Sequence, residues 1–110
     1  MTIYELRVYT TVPGRMPALL ARFENHTLKL FEKHGIEQVG FWTTLVGPNC
    51  GNELTYLLKW DSLADREKKF NAFSLDPAWL EAKGESERDG AINERVASSF
   101  LTPTQFSRLQ

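Results

Sequence analysis

Leu54-Thr55-Tyr56-Leu57-Leu58-Lys59-Trp60 puts Leu54, Tyr56, Leu58 and Trp60 on one side of an extended chain and Leu57 on the other. The run Val39-Gly40-Phe41-Trp42-Thr43-Thr44-Leu45-Val46 behaves alike, with Val39, Phe41 and Leu45 opposite Trp42 and Val46. A sheet with one wet face alternates more cleanly than this. The chain holds two substantial helical stretches, enough to cover one face of a sheet. The second face needs another cover, most simply a second copy of the chain.

Working outward, residues 2–10 read as a strand, with Tyr4, Leu6 and Val8 facing one way and Ile3, Glu5, Arg7 and Tyr9 the other. From Arg15 to Lys33, Met16, Leu19, Leu20, Phe23, Thr27, Leu30 and Phe31 recur at helical spacing, and Gly35 is placed to end that helix. Residues 37–46 form the second strand, Gly47 to Asn52 a hairpin loop, and residues 53–60 the third strand. Ser62 is the N-cap of a helix running to about Ser74, showing Leu63, Phe70 and Phe73, with Asp65 at the acidic position of a capping box. Asp76-Pro77 opens a short helix carrying Trp79 and Leu80 that frays near Gly84. Residues 91–101 are the fourth strand, where Ala97-Ser98-Ser99 suggests a bulge. The order is βαββαβ with an extra short helix: an α+β, ferredoxin-like fold with a four-stranded antiparallel sheet, in one domain spanning residues 1–110.

Composition narrows function by exclusion. A net charge of −1 over 110 residues, with cations and acids interspersed, argues against nucleic acid and anionic membrane as partners. No apolar run approaches a membrane span. A strand pattern from Ile3 with no signal-like segment, and Cys50 as the lone cysteine, predict a cytoplasmic protein. His26 and His34 are too far apart along one helix to share an ion, so no metal is expected; no phosphate-binding glycine loop and no nucleophile motif occur, so no cofactor is expected.

Four groups of residues carry chemistry. Arg66 lies beside Phe70 on the helix face that meets the sheet, either as a structural ion pair or as a clamp for an anionic or carbonyl oxygen. Glu5, Arg7 and Tyr9 project from one face of the first strand. They are expected to pair with one another, with fourth-strand groups such as Glu94 or Arg95, or with a ligand. His34, in the last turn of the first helix, is either a proton carrier or a partner of the terminal carbonyls. Trp42, Trp60 and Trp79, with Tyr56, either line an aromatic pocket or pack in the core or an interface.

Tyr4-Glu5-Leu6-Arg7-Val8-Tyr9, Pro13-Gly14, Phe31-Glu32-Lys33-His34-Gly35, Gly40-Phe41-Trp42, Gly47, Ser62-Leu63-Ala64-Asp65-Arg66, Asp76-Pro77-Ala78-Trp79 and Leu101-Thr102-Pro103-Thr104-Gln105-Phe106-Ser107 follow one another nearly end to end. In these pieces the chain resembles the NIPSNAP family. The resemblance implies a dimeric α/β barrel, in which two ferredoxin-like sheets pack face to face, and hence a homodimer. It implies no agreed reaction. Animal members are mitochondrial and linked to vesicle traffic and mitophagy, a role not carried over here. The wider superfamily holds cofactor-independent monooxygenases, isomerases, dehydratases and haem-degrading enzymes, which use a cleft between sheet and helices. Arg7, Lys83 and the Phe70 to Phe73 stretch fall where the haem-degrading branch carries Asn, His and Trp, so haem chemistry is not implied.

Two readings follow. In the first, the chain is a cofactor-independent, isomerase-like or oxygenase-like enzyme for a small apolar or anionic compound. Trp42, Trp60 and Phe70 line its cleft, Arg7 and Arg66 hold an oxygen, and His34, Tyr9 or Glu5 moves a proton. In the second, it is a ligand-binding or interaction module without turnover, and the buried charges are structural.

Overall fold

The computed structural model describes residues 2–110. Strands β1 (Ile3–Thr11), β2 (Glu37–Thr43), β3 (Glu53–Trp60) and β4 (Asn93–Leu101) form one antiparallel sheet in the order β2-β3-β1-β4, the ferredoxin-like arrangement. Three helices cover one face. The first, α1, runs through Met16–Arg22, a π-helical turn at Phe23–Thr27, and Leu28–Lys33. The others are α2 (Leu63–Ser74) and α3 (Pro77–Ser86).

The register assigns every strand residue to a face. Glu5 lies opposite Leu58 and Phe100, Arg7 opposite Tyr56 and Ser98, and Tyr9 opposite Leu54 and Val96, all toward the helices. Leu6 lies opposite Leu57 and Ser99 on the outer face. The expected division of β3 holds: Leu54, Tyr56, Leu58 and Trp60 are buried on one face, and Leu57 on the other is, like its neighbours there, half-buried. Together with Leu19, Phe23, Phe31, Phe73 and Ile92 they make the core.

Local signals act as their chemistry dictates. The Ser62 hydroxyl accepts from the Asp65 N–H, and the Asp76 carboxylate accepts from the Ala78 N–H with Pro77 at the first helical position. Asp65 reaches back one residue further than a capping box requires, to the Asp61 N–H. At the end of α1 the Gly35 N–H donates to Glu32 O and the Ile36 N–H to Phe31 O, with Gly35 at φ 69°. A side chain there is strained, which is why glycine stands at that turn.

Several expectations need correction. Strand β2 ends at Thr43 and carries a bulge between Gln38 and Gly40, so Val39 breaks the alternation read from the sequence. The fourth-strand bulge falls at Glu94, between Asn93 and Arg95, and not at Ala97-Ser98-Ser99, which pair regularly with β1. Leu63 is exposed, because it occupies the first turn of α2 beyond the sheet-facing stripe. Gly84 does not end α3, which runs on to Ser86.

The outer face is partly roofed by the carboxy-terminal segment. The Tyr4 hydroxyl donates to the Gln110 carbonyl, and Tyr4, Leu57, Leu101, Pro103 and Leu109 surround a shared hollow. Trp42 remains 54% exposed on this face, and elsewhere Leu45, Val46 and Phe106 are each 89% exposed.

Candidate functional site

Glu5 organises the space between sheet and helices. It is fully buried, and its carboxylate accepts five hydrogen bonds: from Arg7 Nη1 (2.8 Å), Arg66 Nε (3.1 Å) and Nη2 (3.2 Å), Trp60 Nε1 (3.1 Å) and Ser98 Oγ (2.7 Å). The fourth-strand partner is therefore Ser98. Arg95 lies opposite Thr10 on the outer face and Glu94 lies in the bulge, and both are exposed. Burial pushes the Glu5 carboxyl up, but the donors Arg66, Ser98 and Arg7 outweigh it, and the group sits below the usual carboxylate range. Phe70 stands between the two arginines, 4.9 Å from the Arg7 guanidinium carbon and 4.3 Å from that of Arg66.

From this cluster the network passes to a pair of tyrosines. Arg7 Nε donates to the Tyr56 hydroxyl (2.7 Å) and Nη2 to the Tyr9 hydroxyl (3.2 Å), and the two hydroxyls are 2.9 Å apart. Burial first, and the neighbouring Tyr9, hold Tyr56 well above the usual phenol range, so it stays neutral. Burial also opposes the Arg7 charge, but Tyr56, Tyr9 and Glu5 more than offset this.

Beyond Arg7 and Tyr9 opens a cavity of about 410 Å³, lined by those two residues with Arg22, Phe70, Phe73, Ser74, Trp79, Lys83, Glu87, Asn93 and Val96. Arg22 reaches it from α1 and is only 4% exposed. Its Nη1 donates to Ser86 Oγ at 3.3 Å and stands 3.6 Å from Glu87 Oε1, its Nε has no partner among the described residues, and its guanidinium carbon lies 5.2 Å from the centre of the Trp79 ring. Burial pulls Arg22 below the usual arginine range, and Tyr9 and Glu87 only partly counter it. Across the Glu5 cluster and the cavity wall, the cations Arg7, Arg66, Arg22 and Lys83 face two carboxylates, Glu5 and Glu87. The cations outnumber the carboxylates, and Phe70, Phe73 and Trp79 give the cleft an aromatic wall.

The sequence-derived candidates divide sharply. Arg7, Tyr9 and Phe70 line the cavity together. Glu5 and Arg66 stand behind it, committed to each other. Trp60 is buried and donates to Glu5. Trp42 lies on the outer face, because the bulge at Val39 sets Gly40 and Trp42 opposite Leu57 and Thr55. His34 is elsewhere again: its Nε2 lies 2.7 Å from Asp76 Oδ2, which also accepts from Lys33 Nζ at 2.8 Å. It ties the end of α1 to the start of α3, in place of bonding the last carbonyls.

The sequence missed Arg22, Lys83, Glu87 and Asn93. At 100° per residue Arg22 falls about 120° from the centre of the apolar arc of α1, where a charged side chain reads as solvated. It is buried instead, against Trp79 and Ser86 of α3 and the Glu87 that follows. Just after it, the π-helical turn, with the Leu28 N–H donating to Phe23 O, is the one local irregularity in that helix. Among the described residues, no three His, Cys, Asp or Glu side chains converge as a metal site, and no helix is long and apolar enough to cross a membrane.

Glu5 and Asp76 also set the acid response. In Asp76, Lys33 is the main cause of a carboxyl held far below its usual range, followed by His34 and the Ala78 N–H. A carboxyl depressed by folding contributes stability in full above its unfolded value, near about pH 4, and loses it as pH falls through the folded value. The melting temperature is expected to decline steadily below about pH 4 and Asp76→Asn to flatten that decline. Thermal melts across an acid series check this; an acid limb identical in the variant removes Asp76 from the account.

Comparison with known proteins places the chain. The NIPSNAP family model matches residues 4–108. A NIPSNAP family protein of unknown function from Agrobacterium tumefaciens is 29% identical, with a TM-score of 0.86 over 99% of this chain and 94% of that one. A second structure of that same protein is 30% identical, with a TM-score of 0.85 over 98% of this chain and 99% of that one. A NIPSNAP-like domain protein from Burkholderia xenovorans, 23% identical with a TM-score of 0.84 over 96% of this chain and 88% of that one, shares the fold. No curated protein matches. The ferredoxin-like chain with its arginine-lined cleft belongs to the NIPSNAP family.

Proposed function

We propose that the protein binds a small, flat anion in the cleft between the sheet, α2 and α3, and converts it without a bound cofactor, by moving a proton as an isomerase-like enzyme or, with dioxygen as co-substrate and oxidant, as an oxygenase-like one. The observation that carries this is Arg22: a buried guanidinium whose nearest carboxylate is 3.6 Å away, at the wall of an aromatic cavity. A buried cation whose counter-ion stands as far off as 3.6 Å, and whose burial outweighs that partner, is costly. An anion seated there, displacing Glu87, relieves it.

The test is a thermal-shift screen of organic acids and phenols. A ligand at a hundred times its Kd stabilises by about 2.7 kcal/mol, a shift of several degrees. Hits are expected to raise the melting temperature of the wild type and not of Arg22→Met. A non-catalytic module is favoured by one feature, the closure of the Glu5 cluster on itself. A wild type that no compound shifts, with an Arg22→Met variant that simply melts higher, decides for it.

The proposed molecule is a homodimer joined across the outer sheet face, which carries Leu6, Leu57, Trp42 and Leu101. The exposed thiol of Cys50 suits a reducing compartment, and we place the protein in the cytoplasm.

A further inference from the structure

The direction of the hydrogen bonds between Tyr9 and Tyr56 decides what the cleft offers its ligand. A phenol has one proton to give and two lone pairs to accept with. The Tyr56 hydroxyl is fully buried, accepts from Arg7 Nε, and has Tyr9 as its one other partner among the described residues. Were Tyr9 to donate to Tyr56, the Tyr56 proton would be buried with no acceptor, which is unfavourable. Tyr56 therefore donates to Tyr9. The Tyr9 oxygen then accepts twice, from Arg7 Nη2 and from Tyr56, and its own proton has no acceptor among the described residues. Tyr9 is half-buried and lines the cavity, so that proton faces the cleft.

We propose that the cleft takes a flat compound bearing a conjugated oxyanion, a phenolate or an enolate, and that the Tyr9 O–H is the donor that selects this oxygen. The inference rests on the small-anion reading above. Tyr9 accepts no further hydrogen bond, so a neutral alcohol can only accept an ordinary bond from its O–H, whereas an anionic oxygen gains a stronger, charge-assisted bond. Arg7, already bonded to both tyrosines and to Glu5, fixes the donor in place without being consumed by the ligand. Phe70, Phe73 and Trp79 suit the flat body conjugated to that oxygen.

The probes are 4-nitrophenolate, 4-nitrobenzyl alcohol and 4-nitrobenzoate, titrated by absorbance against the full chain. A hydrogen bond to a charged oxygen corresponds to roughly tenfold to hundredfold in Kd. The wild type is expected to bind the phenolate at least tenfold more tightly than the alcohol, and Tyr9→Phe to remove that preference. Tyr56→Phe leaves the Arg7–Tyr9 bond and the free proton in place, and is expected to keep it. Equal phenolate binding by wild type and Tyr9→Phe overturns the proposal, as does an equal loss in both variants. Should Tyr9→Phe unfold, the bound probe in the wild type decides: a site donating O–H shifts it toward the ionised form, and a bound probe that ionises as it does in water overturns the proposal. A wild type that takes 4-nitrobenzoate but not the phenolate overturns this inference and leaves the small-anion reading standing. One that takes neither probe while other acids shift its melting does the same.

Discussion

Replacing Glu5 with leucine is expected to cost about 3–5 kcal/mol, the range for removing one partner of a buried ion pair. Arg66 is partly exposed and can swing to water, whereas Arg7 is buried beneath Phe70 and the tyrosines and cannot. Arg7 is therefore left as an uncompensated charge, and Trp60 Nε1 and Ser98 Oγ lose their acceptor. Thermal unfolding followed by circular dichroism is expected to fall by roughly 10–20 °C. Glu5→Gln keeps an acceptor oxygen and is expected to lie between. Adding Arg7→Met to Glu5→Leu removes the stranded charge, so the double variant is expected to recover part of the loss. A Glu5→Leu protein that melts with the wild type would show that the cluster contributes nothing to the fold.

Leu57→Glu is expected to convert the protein from a particle of about twice 12.6 kDa to one of 12.6 kDa in sedimentation at micromolar concentration. Leu57 sits on β3 opposite Leu6 and Gly40, near the middle of the outer face, with Trp42 and Leu101 on the same side. A carboxylate there, pressed against a second apolar sheet, has no partner. The substitution leaves the helix-facing core untouched, so the separated chain is expected to keep its secondary structure. A wild type that already sediments at 12.6 kDa removes the need for a partner across this face.

Much of this molecule is legible along the chain because the relevant signals are local. Ser62 and Asp76 cap helices since their side chains reach N–H groups two or three residues on. The β3 alternation survives folding intact, since the pleat is set by backbone geometry. Glu5, Arg7 and Tyr9 could be placed on one face by counting, and Arg66 beside Phe70 likewise. The cleft was harder to read. Arg22 falls where a charged side chain on α1 reads as solvated, and Trp42 is expected in the cleft wall. The first is reversed by where α3 packs, and the second by a bulge at Val39. Lys83, Glu87 and Asn93 carry no motif and meet Arg22 only because α3 and β4 return to the same end of the sheet.

The amino-acid order by itself determined the element sequence, the capped helix starts, the inward face of the first strand and the presence of charge within it, all consequences of spacing within a few residues. Tertiary structure alone decided which charges met: Glu5 with Arg66 and Ser98, 61 and 93 residues away, Tyr9 with Tyr56, and Arg22 with the cavity. Pairing of buried polar groups depends on strand register and helix packing, which no local pattern encodes, and in this fold that pairing ties Glu5, Arg7, Tyr9 and Tyr56 into one network beside the cleft.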